Sequence, residues 1–233
     1  MTNKTALIIG GSRGLGHGIA LALRDNHARV ITVSRTASPA TGLITEAGDA
    51  SRPEVAEQLL DRHRPDVLVI AAGAVPPTGP LRDFTWESFS AIWEQDVRIA
   101  FTWLGAVLRR PLAPGAVVVV LGSAASLRGS PLSGGYAGAK ATVRYITAYA
   151  RAEGTGVTFT TILPALAPET AVGQVAVRAY AESQGISTAE FAAQLPAPLS
   201  AGVAGASVAR LLAGPADQIA EAYLLDGTGL QEL

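Results

Sequence analysis

Tyr136 and Lys140 stand four residues apart in a stretch with helical patterning, so their side chains are expected on one helix face, one turn apart. A free phenol has a pKa of ~10, and a neighbouring cation lowers that pKa toward the range useful for proton transfer at neutral pH. Lys4 is the only other lysine, so a general abundance of lysine does not explain the pair. The spacing indicates an acid–base centre; a half-buried amphipathic face is the alternative.

Ser123 stands two residues after the apolar run Val117–Leu121. The end of such a strand is where an α/β sheet presents side chains to a bound ligand. A hydroxyl at that place could stabilise an alkoxide as it develops. Ser123 is therefore a third candidate catalytic residue, with a turn-forming serine as the alternative.

A glycine-rich turn follows the first predicted strand and precedes the first predicted helix. It contains Gly10, Gly14 and Gly16, with Ser12 and Leu15 between them. Residues without a Cβ atom can adopt positive φ and let a pyrophosphate approach the backbone beside the helix N-terminus. An ordinary strand-to-helix turn is the alternative, but the position in the first βα unit favours a dinucleotide site.

Two arginines bear on the choice of dinucleotide. Ser34 and Arg35 end the second predicted strand, where an acidic residue would bind the ribose hydroxyls of NAD. A guanidinium beside a hydroxyl suits the additional 2′-phosphate of NADP instead. Arg13 lies inside the glycine turn and could contact the same phosphate. The sequence thus predicts NADP(H) as cofactor, with solvated arginines as the alternative.

These residues need a scaffold, and short runs rich in Val, Ile, Leu and Thr alternate with longer helical patterns. The runs are almost continuously apolar, which favours a parallel sheet covered on both faces. We predict an α/β fold, a three-layer doubly wound parallel sheet of the Rossmann type with about seven strands. The predicted strands are Ala6–Ile9, Arg29–Val33, Leu43–Ala47, Asp66–Ile70, Ala116–Leu121, Val157–Leu163 and Ala222–Leu225. The predicted helices are Leu15–Asp25, Pro53–His63, Trp86–Arg110, Gly135–Glu153, Ala171–Gln184 and Val203–Ala213.

Residues 1–233 are expected to form a single dinucleotide-binding domain. The connection from Arg35 to Asp49 is too short for a crossover helix, so a loop is predicted there. A proline-bounded insertion at about 165–198 is the predicted substrate lid. Further pocket walls are expected from 74–82 and 124–134, with Trp86 and Arg128 nearby.

Composition narrows the function classes. The net charge is −1 and the arginines are scattered, which disfavours nucleic acid and anionic membranes as partners. The chain has no cysteine, which excludes disulfides and thiolate chemistry, and no metal site is expected. No signal peptide pattern and no apolar run of ~20 residues are present, so a soluble, cytoplasmic protein is predicted. The apolar long helices predict a homodimer or homotetramer.

Taken together, these residues resemble the short-chain dehydrogenase/reductase family from the first strand to Gly227. The run from Ile9 to Gly16 is similar to the family's Thr-Gly-x-x-x-Gly-x-Gly cofactor loop, and Ser123 precedes the Tyr-x-x-x-Lys pair by the usual interval. The resemblance implies a nicotinamide cofactor. Further cofactor contacts implied by it are Asp49 and Ala50 at the adenine, Ala72 and Gly73 beneath the adenine ribose, and Leu166 and Thr170 near the nicotinamide carboxamide.

The sequence departs from the family at two places. Asp96 stands where an asparagine usually helps to hold a water of the proton relay. An aspartate can still offer its backbone carbonyl, but its negative charge is expected to raise the pKa of the tyrosine or to alter the relay. The run Ile70-Ala71-Ala72-Gly73 stands where Asn-Asn-Ala-Gly is usual, so the hydrogen bonds that tie the central strands together are expected to be made by other groups or to be replaced by apolar packing.

The function implied is NADPH-dependent reduction of the carbonyl of a small to medium ketone or aldehyde, or the reverse alcohol oxidation. Tyr136 would donate the proton, with Ser123, Lys140 and Asp96 completing the catalytic set. Two alternatives remain open at this point. One is a non-redox dehydratase, isomerase or cyclase on the same fold, and the other is a non-catalytic NADP-binding sensor.

Overall fold

A computed structural model describes residues 4–25, 29–37 and 40–233 of the chain. The prediction that the chain shows no signal peptide pattern depended partly on the first three residues, which lie outside that range. In the described part, the strands form one mixed sheet of eight strands in the order β3-β2-β1-β4-β5-β6-β7-β8. The strands are β1 Thr5–Ile9, β2 Arg29–Ser34, β3 Ile44–Ala47, β4 Val67–Ile70, β5 Val117–Leu121, β6 Thr158–Pro164, β7 Ala222–Asp226 and β8 Gly229–Glu232.

The strand order confirms the predicted doubly wound sheet. Strands β1 to β7 are parallel, and β8 pairs antiparallel with β7. The chain builds outward from β1 to β3, then returns to place β4 on the other side of β1. The order of the strands therefore reverses between β1 and β4. In open α/β sheets, ligands bind in the crevice at such a switch point, beyond the carboxyl ends of the strands.

Helices cover both faces of the sheet. The first strand shows the division, because the fully buried Leu7 and Ile9 point into one core cluster and Ala6 and Ile8 into the other. Helices α2, α4 and α5 cover the first cluster, and α1 and α8 cover the second. The helices are α1 Gly14–Arg24, α2 Pro53–His63, α3 Trp86–Ser90, α4 Arg98–Arg109, α5 Tyr136–Ala152, α6 Ala171–Gln184, α7 Thr188–Ala193 and α8 Ala201–Ala213.

The continuous predicted helix Trp86–Arg110 is wrong. The chain forms the short helix α3, turns, passes through a π-helical segment at Trp93–Val97 and only then enters α4. In the π-helical segment the backbone N–H of Arg98 donates to the carbonyl of Trp93, five residues earlier. Such a turn holds one residue more than an α-turn, so apolar periodicity shifts register without disappearing. The sequence pattern therefore does not reveal the break.

The start of α3 has a local cause, whereas the π-helical segment depends on contacts with residues distant in the chain. Thr85 caps α3 through a capping box with Ser88, which fixes where this short helix begins. The π-helical segment is held by Asp96, whose buried side chain is bonded to groups outside the helix. π-helical turns of this kind are frequent at functional sites.

The eighth strand was not predicted. It forms a hairpin with β7 through a two-residue loop after Asp226, whose carboxylate accepts hydrogen bonds from the backbone and hydroxyl of Thr228. The strand is short and carries polar residues, so hydrophobic alternation does not mark it. The Asp-Gly pair at 226–227 is the local signal that could have predicted a hairpin.

The predicted lid region contains α6 and α7. Tyr180 of α6 stacks on Phe191 of α7, with ring centroids 5.7 Å apart. In the connection from Arg35 to Asp49, two residues lie outside the described range, and the others form β3 and loop, with no crossover helix. Within the described chain, no helix combines the length and apolarity that crossing a bilayer requires.

Candidate functional site

A cavity of about 1310 Å³ runs along the carboxyl-terminal ends of the parallel strands. Its volume exceeds the ~300–1,000 Å³ of typical small-molecule sites, so a dinucleotide and a substrate can share it. The structure brings every predicted site residue to this cavity. The lining includes Gly10, Ser12, Arg13, Leu15, Gly16, Ser34, Arg35, Asp49, Ala50, Ala72, Gly73, Asp96, Ser123, Tyr136, Lys140, Leu166 and Thr170.

The glycine turn is as tight as the sequence predicts. Gly10 has φ +89°, and a Cβ atom on it would lie 2.5 Å from the backbone nitrogen of Ala72. At Gly16 a Cβ atom would lie 2.4 Å from the carbonyl oxygen of Gly10. The first turn of α1 therefore packs directly on the end of β1, with β4 alongside. Only residues without a side chain allow this approach.

The N-terminus of α1 opens toward the cavity. Arg13 is its N-cap residue and makes no side-chain capping bond, and the first turn of the helix contains no acidic residue. The first N–H groups of a helix lack intrahelical partners and carry the positive end of its dipole. An anion such as a pyrophosphate can be bound there by backbone groups. A dinucleotide therefore fits the residues present.

Arg13 and Arg35 reach the same end of the cavity from the glycine turn and from the end of β2. Both are exposed and both line the cavity. Ser34 is half-buried, and its hydroxyl donates to the carbonyl of Thr36 at 2.7 Å. The arginine charges are thus available to a phosphate, whereas the Ser34 hydroxyl is engaged in a local turn. Thr36 also lines this end of the cavity and was not predicted.

Asp49 and Ala50 follow β3 and form the adjacent wall. Two hydrogen bonds from Ser51, from its hydroxyl at 2.7 Å and its backbone at 3.0 Å, hold the Asp49 carboxylate. These bonds, with a smaller contribution from Arg52 and Arg35, lower the pKa of Asp49 below its ordinary value. The carbonyl of Ala50 accepts a bond from the Trp103 indole at 2.9 Å. This wall is therefore anchored to α4.

The end of β4 takes the place where the family usually has an asparagine pair. Ala71 packs against the core cluster on one face of the sheet and Ala72 against the cluster on the other. Apolar packing thus replaces the missing side-chain hydrogen bonds, as the sequence predicts. The backbone N–H of Ala71 donates to the carbonyl of Ile9 at 2.8 Å, which ties β4 to β1.

Ser123 lies just beyond β5 and is 9% exposed. It caps the short 3-10 turn Ala124–Ser126, where its hydroxyl oxygen accepts a bond from the backbone of Ala125 at 3.2 Å. The accepting oxygen keeps its own proton, which remains available as a donor. A strand end followed by a tight turn presents this hydroxyl to the cavity.

Tyr136 opens α5, and Lys140 lies one turn further on. The ammonium is 5.8 Å from the centre of the Tyr136 ring and 3.4 Å from the carbonyl oxygen of Leu121, to which it donates. Tyr136 is half-buried, whereas Lys140 is 7% exposed. The spacing of four therefore places a phenol at the cavity surface and a cation beneath it.

Asp96 provides a contact that the sequence does not reveal. Its Oδ2 lies 2.9 Å from the Lys140 ammonium, and its Oδ1 accepts a bond from the backbone of Ala74 at 2.8 Å. Burial alone lowers the pKa of Lys140, but the negative charge of Asp96 and the Tyr136 hydroxyl outweigh burial and raise that pKa above its ordinary value. The sequence suggested a contribution from the Asp96 backbone carbonyl or charge; in the structure its side chain is ion-paired with Lys140.

Leu166 and Thr170 follow β6 and also line the cavity. Thr170 caps α6: its hydroxyl accepts a bond from Gly173 at 3.0 Å and donates to the carbonyl of Ala167 at 2.9 Å. A Cβ atom on Gly14 would lie 3.6 Å from the Thr170 methyl group, so Thr170 sits close to the glycine turn. The Leu166 carbonyl accepts from Leu199 at 3.2 Å.

The substrate end of the cavity includes a contact that was not predicted. The Ser130 hydroxyl lies 2.5 Å from the Tyr180 hydroxyl and joins the loop after β5 to α6 of the predicted lid. Ser130 was expected only as part of a pocket wall, and no local signal pairs it with a residue fifty positions later. Trp86 lies outside the cavity lining, is 74% exposed and stacks on Phe89, so its expected place beside the pocket is not found.

A protein-family model described as short chain dehydrogenase matches residues 4–179 of the chain. A short chain dehydrogenase/reductase of Aspergillus aculeatus is 29% identical over 167 residues, which are 65% of this chain and 59% of that protein. The L-xylulose reductase of Bos taurus is 30% identical over 138 residues, which are 55% of this chain and 57% of that protein. The matches thus span less than two thirds of these relatives.

Solved structures share the fold over nearly the whole chain. Levodione reductase superposes with a TM-score of 0.81 at 23% identity, covering 97% of both chains. An alcohol dehydrogenase of Thermococcus sibiricus complexed with 5-hydroxy-NADP has a TM-score of 0.75 at 22% identity, covering 100% of both. A 3-oxoacyl-[acyl-carrier protein] reductase of Brucella melitensis in complex with NAD has a TM-score of 0.78 at 23% identity, covering 97% of this chain and 96% of that one.

Proposed function

This chain belongs to the short-chain dehydrogenase family, and from that membership we propose that it is an NADPH-dependent reductase. Its substrate would be the carbonyl of a small to medium ketone or aldehyde, or the corresponding alcohol in the reverse direction. The observation that carries the proposal is that Ser123, Tyr136 and Lys140 line the same cavity as the glycine turn. If these three residues had only structural roles, there would be no reason for them to line one cavity together with the glycine turn.

The chain's own residues supply binding, orientation and the proton. A bound nicotinamide supplies or accepts the hydride. Ser123 and Tyr136 hydrogen-bond the carbonyl oxygen, and Tyr136 gives it the proton as the alkoxide forms. Lys140 holds the ribose next to the nicotinamide and places a positive charge beneath the phenol.

NADP(H) is the proposed cofactor because two cationic side chains border the adenosine end of the cavity. Arg13 and Arg35 are exposed there, and the end of β2 carries no acidic residue to bind ribose hydroxyls. The remaining cofactor contacts are proposed on the same cavity lining. They are Gly10, Ser12, Leu15, Gly16 and Ser34 at the phosphates and 2′ position, Asp49, Ala50, Ala72 and Gly73 at the adenosine, and Leu166 and Thr170 at the nicotinamide.

The substrate pocket favours a largely neutral molecule. Val75, Pro76, Ala124, Leu132 and Ala179 are among its lining residues, and the exposed Arg128 also lines the cavity. Small apolar side chains of this kind bury a ligand by hydrophobic contact without selecting a charge. Ser130 in the loop after β5 and Tyr180 of α6, whose hydroxyls are hydrogen-bonded, belong to the same lining.

The direct test is Tyr136→Phe, with Tyr145→Phe on the same helix as the matched control. Removing the Tyr136 hydroxyl is expected to lower kcat for NADPH-dependent carbonyl reduction by roughly 10²–10⁴-fold, the usual contribution of a positioned acid. NADPH binding, followed by cofactor fluorescence, should stay within a few-fold of wild type. Tyr145 is 60% exposed, so its variant should retain activity.

Near wild-type turnover by the Tyr136→Phe variant would refute the proposal. The amount of NADPH oxidised per product formed is measured in the same assay. One equivalent supports reduction, whereas product formation without NADPH consumption would indicate a non-redox reaction at the same tyrosine. Binding of NADPH without turnover on a broad carbonyl panel would indicate a sensor.

Self-association is proposed through the outer face of α4 and α5. Phe101 on α4 is 67% exposed, and Tyr145 and Tyr149 on α5 are 60% and 63% exposed. The two tyrosine rings stack, with centroids 6.5 Å apart. Large exposed aromatic side chains on neighbouring helices mark an association surface more often than a solvated one. A homodimer or homotetramer would cover them.

A further inference from the structure

We propose that Asp96 is a positioning residue that acts through its side chain, pairing with the Lys140 ammonium and holding it beneath Tyr136. The inference rests on the proposed function, because it concerns the group that would bind the nicotinamide ribose. It assigns Asp96 a role different from that of a backbone carbonyl in a water relay. It also predicts that the carboxylate, and no other feature of this position, sets the pH range of activity.

The geometry of the pair supports this role. The Asp96 Oδ2 atom lies 2.9 Å from the Lys140 ammonium, and the two side chains are 2% and 9% exposed. Oδ1 is held by the backbone N–H of Ala74, so the carboxylate cannot turn away without losing a second contact. The Leu121 carbonyl receives a further bond from the ammonium. Lys140 is therefore fixed from the π-helical segment on one side and from β5 on the other.

The burial of the pair explains why the negative charge matters. A buried ammonium without a counter-ion loses the hydration that stabilises its charged form. For Lys140 that burial lowers the pKa, and the charge of Asp96, followed by Tyr136, raises it to a net value above the ordinary 10.5. Lys140 is therefore charged at neutral pH, although it is buried.

Few other charges bear on this cation. The π-helical segment contributes Asp96 and the exposed Glu94, and Glu94 is paired with Arg98. Helix α5 contributes Tyr136, and the β5 side contributes the Leu121 carbonyl. The carboxylate of Asp96 is therefore the group whose removal should change the Lys140 charge most.

The first experiment is Asp96→Asn, which keeps the shape and the backbone but removes the charge. Without the carboxylate, burial is expected to lower the pKa of Lys140, by about one unit or more for the loss of a close opposite charge. The alkaline limb of kcat/KM for carbonyl reduction, and that of NADPH affinity, should then move to lower pH. At pH 6, where Lys140 is charged in both proteins, NADPH affinity should approach that of wild type.

Glu94→Gln is the matched control, because it removes a carboxylate that lies in the same π-helical segment and lines the same cavity but pairs with Arg98 rather than with Lys140. Its alkaline limb should coincide with that of wild type. The proposal is overturned if Asp96→Asn leaves both alkaline limbs where they are in wild type. It is equally overturned if Glu94→Gln moves them as far as Asp96→Asn does.

A second measurement needs neither turnover nor a folded Asp96→Asn variant. In Lys140→Met, the Asp96 carboxylate is left buried without its counter-ion, and protonation relieves this. The thermal midpoint of Lys140→Met should therefore lie below that of wild type at pH 8, and the difference should shrink as the pH falls to about 5. A difference that stays constant over this range would overturn the ion pair.

The two measurements separate this inference from the proposed function. If no carbonyl is reduced by the wild-type protein, the proposed function fails, and NADPH affinity and thermal midpoints still decide the role of Asp96. If reduction occurs but the pH profiles of wild type and Asp96→Asn coincide, the proposed function stands and the positioning role fails.

Discussion

At the scale of single residues, the cavity is lined by two kinds of residue with opposite requirements: glycines that must lack a side chain and arginines that need a long, charged one. Gly10 and Gly16 must carry no side chain, because any Cβ atom would meet the backbone of the neighbouring strand or turn. Arg13 and Arg35 need length and charge, and they remain exposed at the cavity mouth. In the proposed function, small and charged residues thus bind one ligand at different distances from the backbone.

Arg35→Ala tests the cofactor assignment. Loss of a charge-assisted contact to the 2′-phosphate, ~1.5–3 kcal/mol, should lower kcat/KM with NADPH by roughly tenfold to a hundredfold. Efficiency with NADH should change little, since NADH lacks that phosphate. Arg82→Ala is the control, because Arg82 is an exposed arginine whose side chain is 84% accessible and which lies outside the cavity lining. Equal losses with both cofactors would contradict the assignment.

Gly10→Ala tests the turn itself. The positive φ costs an alanine about 1–2 kcal/mol, and the clash with Ala72 should bring the total loss of unfolding free energy above about 3 kcal/mol. Gly115→Ala is the control: Gly115 has φ +83°, and nothing lies within 4 Å of its added Cβ atom. Chemical denaturation measures both. Equal losses for the two variants would show that the contact with β4 does not matter.

At the scale of elements, the π-helical segment and helix α6 bring side chains from different parts of the chain to the same cavity. The π-helical segment turns Asp96 into the interior, although Trp93, Glu94 and Gln95 before it are exposed. Helix α6 reaches back to the loop after β5 through Tyr180. The catalytic end of the cavity is thus bordered by elements that are themselves held by long-range polar contacts.

Tyr180→Phe tests the contact between α6 and the loop after β5. The variant keeps the ring stacked on Phe191 but loses the bond to Ser130, which should cost about 0.5–1.5 kcal/mol of unfolding free energy. If the contact orders the substrate pocket, KM should rise several-fold while kcat changes less. Glu182→Gln, which alters an exposed side chain on the same helix outside the cavity lining, serves as control. An unchanged KM would remove the lid contact from substrate binding.

At the scale of the whole molecule, a sheet covered on both faces leaves the outer sides of α4 and α5 to other contacts. Their inner sides pack against one core cluster, to which Trp103 and Val143 contribute. A fully buried apolar side chain of this size contributes roughly 1.5–3 kcal/mol, so the inner sides account for folding. The aromatic residues on the outer sides are not needed for that, and the proposed self-association would cover them.

The double variant Phe101→Arg/Tyr149→Arg tests this association. Charges at two exposed positions of a self-complementary interface repel their copies, so the mass measured by light scattering should fall to that of one chain. Leu81→Arg is the control, since Leu81 is 70% exposed but lies away from α4 and α5. A wild-type protein that is monomeric at micromolar concentration would contradict the proposed assembly.

Much of the scaffold was predictable because its signals are local. The central strands β1, β4 and β5 are apolar on both faces, so their residue types alone mark them. Helices Pro53–His63 and Ala171–Gln184 begin and end where the pattern predicts. The glycine turn and the spacing from Tyr136 to Lys140 are likewise properties of neighbouring residues. Their roles in binding and catalysis remain predictions that the proposed variants test.

The tertiary structure alone decided the remaining features. Residues far apart in the chain make the ion pair of Asp96 with Lys140 and the contact of Ser130 with Tyr180. The π-helical turn that positions Asp96 leaves the apolar periodicity intact apart from a shift, so no sequence pattern announces it. Local sequence encodes the backbone's preferences. Which distant side chains meet depends on how all the elements pack together, and no single segment of the sequence determines that packing.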